Sequence, residues 1–295
     1  MNNYVLSCCS TVDLTPERMQ KRDLRYLCFK FTVDGIEYQD DMGTSMPSEE
    51  LFRRMAGGAD TKTSQVSTEE YLERFEELLK QGLDILHVTL STGLTGTYNS
   101  ACIARDMLAE KYPERKLYIV DSLGASSGYG LIMETLADMR DRGATIDELY
   151  AWLEENKLRM HHWFFSTDLS FYVRGGRISK AAGAIGTVLN ICPLLNMDHE
   201  GHLIPREKLR GKRRVMKRVV EMMELHAENG TEYSGKCFLC QSLCMEDAQT
   251  VAEMVESRFP QLNGKVEIFP IGATIGSHTG PGTISLFFWG DKRVN

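Results

Sequence analysis

Between Asp84 and Gly143 the sequence twice repeats one unit, a short apolar run followed by a turn and then a helix-length segment. Asp84 to Leu90 and Lys116 to Asp121 read as strands, Thr97 to Lys111 and Ser127 to Arg140 as helices, with Gly143 ending the second. Strands alternating with helices in this way predict a layered α/β fold whose mostly parallel sheet is flanked by helices. Upstream, Tyr4 to Cys8 reads as a strand, and Arg25 to Val33 and Ile36 to Tyr38 as hairpin arms joined at Asp34-Gly35. Thr68 to Lys80 is expected to be a helix N-capped by Thr68, and Thr145 to Lys157 a further one with acids in its first turn.

From His161 the texture changes. Trp163-Phe164-Phe165 is a short apolar strand, followed by a Gly-rich stretch from Gly175 to Gly186 and a helix from Ser179 to Leu189. Shorter strands are expected near Pro193 to Asp198, Leu203 to Arg206, Val266 to Ile271 and Thr283 to Trp289, and helices over Lys212 to Asn229 and Glu246 to Phe259. A chain of 295 residues accommodates two medium domains. The predicted division is an N-terminal α/β domain over 1–165 and a smaller C-terminal α/β domain over 166–295.

A net charge of −7 argues against non-specific binding to nucleic acid or an anionic membrane. No apolar run approaches the roughly 18 residues of a membrane-spanning helix, and the N-terminus lacks a basic region followed by an apolar run, so a cytoplasmic protein without membrane insertion is expected. Eight cysteines without a secretory signal read as reduced thiols. Cys237, Cys240 and Cys244 could serve a zinc or redox module, but no fourth ligand follows at finger spacing, and Lys236 to Cys240 also reads as a buried strand. No metal and no cofactor are expected.

Three segments gather Gly, Ser and Thr where open α/β sheets place ligands: Thr63 to Ser67, Ser91 to Ser100, and Ile271 to Gly282 with His278. In the second, Gly93 and Gly96 let the backbone approach a guest while the following helix start directs unpaired N–H groups at an anion. Structural capping of that helix and a hydrogen-bonded turn histidine at 278 are the plainer alternatives. None of the three carries the lysine of a P-loop or the spacing of a dinucleotide fingerprint, and there is no G-x-S-x-G elbow.

Taken together, Thr63-Ser64-Gln65, the run STGLTGTYNSA from Ser91 to Ala101, Val120-Asp121-Ser122, Arg174 to Ser179 (RGGRIS) and the run IGATIGSHTGPG from Ile271 to Gly282 closely resemble the DegV family. The resemblance spans nearly the whole chain. It implies a two-domain fold, the C-terminal domain built on a mixed or antiparallel sheet, that carries one long-chain fatty acid in a buried tunnel between the domains. It also implies a non-catalytic subunit that presents the carboxylate to a fatty acid kinase catalytic subunit. The carboxylate contacts implied are Thr63, Ser64, Thr92 and Gly93 with its neighbouring amides, and His278, a hydroxyl- and amide-rich site without a basic clamp. Three positions depart from the family pattern: Val66 replaces a proline, Thr92 a serine, and Cys9 an acidic residue.

A basic run between Arg206 and Arg218, including Arg210, Lys212, Arg213 and Arg214, stands out in an acidic chain, and Arg174 and Arg177 flank Gly175-Gly176. A solvated helix face and a docking patch for an acidic partner both account for it. A stand-alone kinase or hydrolase using Asp121 and His278 is the rival reading.

Overall fold

The computed structural model describes residues 3–179 and 191–294, and its strands form three sheets. Strands β1 (Tyr4–Cys9), β2 (Leu24–Leu27), β6 (Asp84–Thr89) and β7 (Leu117–Asp121) make a four-stranded, fully parallel sheet in the order β2-β1-β6-β7. The βαβα run thus folds as its periodicity predicts: helix Thr97–Lys111 is the crossover between β6 and β7, and helix Ser126–Asp141 follows β7 and leads toward the mixed sheet. A small antiparallel sheet, β4-β3-β5, contains β3 (Lys30–Val33), β4 (Ile36–Gln39) and β5 (Thr61–Ser64). The Asp34-Gly35 hairpin is present with Val33 opposite Ile36, but the single strand expected from Arg25 is two: β2 joins the parallel sheet and β3 the hairpin.

The third sheet has six strands in the order β10-β9-β8-β13-β11-β12, with β8 Met160–Ser166, β9 Ile191–Met197, β10 Leu203–Arg210, β11 Phe238–Gln241, β12 Glu267–Pro270 and β13 Thr283–Trp289. Only β11 and β12 pair in parallel, so the sheet is mixed. Strand β10 runs four residues beyond the expected Arg206, to Arg210. Helices Lys212–His226 and Met245–Arg258 cover one face of this sheet through Val215, Val219, Met223, Val251 and Val255. The helix expected over 179–189 lies, apart from Ser179, outside the described residues.

Helix Ser126–Asp141 explains how the two larger sheets are held together. It lacks a polar face over most of its length, and Tyr129, Ile132, Met133 and Leu136 are buried in one core with Leu6 and Val88 of the parallel sheet and Phe238 and Phe287 of the mixed one. A helix apolar all round must be covered on all sides. The fully buried Glu134 in its middle is matched by Arg18 (3.2 Å), Arg22 (3.5 Å) and Lys236 (3.3 Å), the last from the start of β11.

Two local expectations are corrected. Thr68 is the first helical residue rather than the cap: Ser67 accepts from the Glu70 N–H (3.2 Å) while Glu70 accepts from the Ser67 N–H (2.8 Å), a capping box that satisfies two orphan donors at once. The Ile271 to Gly282 segment is not one long turn but contains the short helix Ala273–Thr279. Asp40, at the end of the hairpin, accepts its Thr274 N–H at 3.1 Å.

Candidate functional site

A cavity of about 500 Å³ opens where the hairpin sheet, the loop after β6, the Ala273–Thr279 helix and the inner face of the mixed sheet meet. Its lining divides by chemistry. Thr63, Ser64, Gln65, Thr95, Arg177 and His278 contribute polar groups, while Phe29, Leu90, Phe164, Met197, Leu203 and Phe287 contribute apolar wall.

At the polar part, Thr63 Oγ1 lies 2.7 Å from His278 Nε2, across 215 residues of sequence. The sheet register puts Thr63 opposite Phe31 on β3, and the helix capped by Asp40 carries the histidine toward it. Gly175 closes the other side of the ring: a Cβ there would stand 2.3 Å from His278 Nδ1, so only glycine lets the backbone approach so closely. Nδ1 has no hydrogen-bond partner among the described residues. Burial first, and then the Arg177 cation, pull the His278 pKa down to about 4. At neutral pH the ring is therefore uncharged and offers a hydrogen bond rather than a charge.

Beneath that helix two carboxylic acids are buried, Asp13 and Asp40. Burial pushes both pKa values up, Asp13 well above the usual carboxylate range with the neighbouring Asp40 charge adding to the effect. Asp13 also accepts from the hydroxyl of Ser126, which lines the cavity.

The second loop contributes differently from expectation. Thr92 does not line the cavity: its hydroxyl (2.5 Å) and N–H (3.2 Å) both donate to the Asp121 carboxylate, which leaves no free donor for an anion. Gly93 does not line it either; a Cβ there would meet the Gly201 carbonyl at 2.5 Å, so this glycine permits close packing on the β9–β10 turn. The residues of this loop that reach the cavity are Leu94, Thr95 and Gly96. The Thr95 hydroxyl donates to Gln65 Oε1 (2.9 Å), and Gln65 Nε2 donates to Ser100 (3.0 Å), tying the two segments together. Sequence spacing shows a Thr-rich turn but not which hydroxyl faces inward. Asp121 is occupied by the loop, also accepting from the Leu123 N–H at 2.9 Å, and is absent from the lining, so the Asp121–His278 pair of the rival enzyme reading is not assembled.

Arg177 is a further correction. Expected on a docking surface, it is half-buried in the cavity lining, where its guanidinium bonds the Gly175 carbonyl at 2.6 Å and depresses His278. The site therefore includes a cation, contrary to the clamp-free reading. Arg174 is exposed and lies over the Phe171 ring at 5.2 Å. In the basic run, Arg206, Lys208 and Arg210 alternate on the exposed side of edge strand β10, and Arg213 and Arg214 are exposed on the following helix. Lys212 is paired with Asp247 at 2.6 Å and Arg218 with Glu207 at 2.7 Å.

Cys237 and Cys240 are buried at β11, and burial raises both thiols, Cys240 to about 12. Among the described residues no group of three potential metal ligands includes them. Cys9 is fully buried, with its sulfur 3.2 Å from the Tyr71 hydroxyl and its pKa pushed up to about 11 by burial, so a neutral polar contact stands at this position.

The family model described as "Uncharacterised protein, DegV family" matches residues 9–291. The chain belongs to the DegV family. A DegV domain-containing protein of Clostridium perfringens is 38% identical over 99% of each chain. Among solved structures, a DegV family protein from Thermus thermophilus, described by its fatty acid binding, superposes with a TM-score of 0.86 at 25% identity, covering 99% of this chain and 100% of that one. The Streptococcus pneumoniae fatty acid kinase B3 protein, loaded with linoleic acid, shares the fold at a TM-score of 0.83 and 22% identity, with 99% and 100% of the chains covered. The α/β architecture described above, with its parallel and mixed sheets, is thus the DegV-family fold. No helix among the described residues is long and apolar enough to cross a membrane.

Proposed function

We propose that this DegV-family protein binds one long-chain fatty acid in the 500 Å³ cavity and presents its carboxylate to a partner kinase. The observation that carries the reading is the Thr63–His278 pair at 2.7 Å, set beside Arg177 in the lining of a cavity whose apolar wall includes Phe29, Leu90, Phe164, Met197 and Phe287. Thr63, Ser64, His278 and Arg177 hold the carboxylate in place of the Thr92 and Gly93 contacts expected from sequence, and Thr95 serves to fix Gln65 at the cavity. A desolvated carboxylate is costly unless its lone pairs are filled, and hydroxyl, imidazole and guanidinium donors fill them. The tail supplies affinity: about 14 methylenes at about 0.8 kcal/mol each give roughly 11 kcal/mol of gross transfer energy, from which ordering and association costs are subtracted.

The ligand lies between an N-terminal domain ending near residue 165 and a C-terminal domain from 166, and the protein acts in the cytoplasm as a carrier without its own catalysis. The exposed arginines of β10 and of the helix after it form the surface that meets the kinase. The experiment is phosphorylation of delipidated protein reloaded with palmitate, with ATP and with or without a fatty acid kinase catalytic subunit. Acyl phosphate only when both are present supports the carrier reading, and product from this chain alone overturns it.

A further inference from the structure

His161 on β8 points to the face of the mixed sheet opposite that of its neighbour His162, which lines the cavity. There it meets His226, the last residue of helix Lys212–His226, and Asp291, just after β13. We propose that His161, His226 and Asp291 form a binding site for a divalent transition metal, with zinc the ion that suits the donor set best.

The argument is geometric. His161 Nε2 lies 2.8 Å and His226 Nδ1 3.3 Å from Asp291 Oδ1, and the three ligand atoms all fall within 4.8 Å of one another. Ligand bonds of about 2.0–2.2 Å around a tetrahedral ion place neighbouring donors about 3.3–3.6 Å apart, so the donor spacing suits a common centre; the His161 and His226 rings stack with centroids 5.1 Å apart and planes 21° apart, so the His226 ring must rotate out of the stack to aim its nitrogen at that centre. Two imidazoles and one carboxylate form the three-ligand set that leaves a fourth position for water.

The surroundings fit. His161 is buried, and its ring stacks on Phe288 with centroids 5.2 Å apart, which fixes one ligand. Its Nδ1 has no partner among the described residues; taking a metal at Nε2 moves the ring proton to Nδ1 and gives up the 2.9 Å contact of Nε2 with the Asp291 carbonyl. His226 and Asp291 are partly exposed, giving the ion an entry path; the His226 ring stacks on His161 and on Trp163, with centroids 5.1 and 5.5 Å away. Their backbones are already tied, Asp291 N–H donating to the His226 carbonyl at 3.0 Å and Gly290 N–H to the Arg159 carbonyl at 2.8 Å. A bound ion would clamp the C-terminal segment to β8 and to the end of a covering helix, independently of the lipid cavity.

The test uses untagged, chelator-treated, dialysed protein titrated with zinc(II) by calorimetry, and with cobalt(II) followed by visible absorption. Wild type is expected to bind one equivalent saturably, with tetrahedral cobalt bands and a rise in melting temperature on zinc addition. His226→Ala and Asp291→Asn, which alter partly exposed side chains, are each expected to weaken binding at least tenfold while the metal-free melting temperature stays near wild type. Absence of saturable binding in wild type, or zinc retained with unchanged affinity in both variants, overturns the site.

Discussion

Thr63 and His278, from an edge of the hairpin sheet and from a seven-residue helix near the C-terminus, share a hydrogen bond of 2.7 Å in the lining of the cavity. That bond uses one of the two polar hydrogens of the hydroxyl and the neutral ring and leaves the other for an anion. Thr63→Val keeps the shape and removes the hydroxyl, and His278→Ala removes the ring. Each is expected to weaken fatty-acid binding by about 10- to 100-fold, the value of a hydrogen bond to a charged group, read by displacement of a fluorescent fatty acid from delipidated protein. Little change in thermal midpoint should accompany Thr63→Val.

Arg177 acts on the same ring. Because its cation lowers the His278 pKa, Arg177→Gln should move the His278 titration upward from about 4 toward the ordinary histidine value and weaken fatty-acid binding severalfold. Titration of the ring protons by NMR measures the first effect; an unchanged midpoint would place the guanidinium elsewhere in solution.

Stability should fall on acidification from about pH 6.5. Burial lowers His87 to about 3, His161 to about 4 and His278 to about 4, and holds His162 well below the ordinary histidine value. Between those values and 6.5 the unfolded chain takes up protons that the native state refuses, so stability present above pH 6.5 is lost as pH falls, at about 1.4 kcal/mol per unit of depression per group. The raised pKa values of Asp13 and Asp40 act in the opposite direction, but two carboxyls face four histidines. Urea midpoints between pH 7.5 and 4.5 check the sign.

How much of this was legible beforehand depends on whether a feature is local. The βαβα run, the Asp34-Gly35 hairpin and strand β13 follow from periodicity and turn chemistry, which the chain carries in consecutive residues. The Thr63–His278 pair was reached only through family resemblance, because no spacing rule joins residues 215 apart. Thr92 and Thr95 sit in one turn with the same side chain, and only the positions of Asp121 on the neighbouring strand and of Gln65 beside the cavity decide which partner each hydroxyl takes. Arg177 read as surface because a basic residue flanked by glycine has no sequence mark of burial. The His161–His226–Asp291 cluster draws on a strand, a helix end and the C-terminal segment, and left no motif.

Glu134 tests the join between the sheets. Glu134→Ala removes the shared buried partner of Arg18, Arg22 and Lys236, which keep Glu267, Asp138 and Asp141, and should cost about 1.5–3 kcal/mol in chemical denaturation. Glu134→Gln, which keeps the volume and one acceptor, should cost less.

Arg213→Glu with Arg214→Glu reverses two exposed charges away from the cavity. Kinase-dependent phosphorylation should be abolished while the affinity for fatty acid stays within twofold of wild type. Loss of both together would argue against a separate docking surface.

The central claim is that the cavity holds a fatty acid. Mass spectrometry of lipids extracted from denatured recombinant protein tests it most directly. The account predicts close to one equivalent of long-chain fatty acid per chain, reduced in His278→Ala; protein that comes out empty, or carrying a lipid without a free carboxylate, would contradict it.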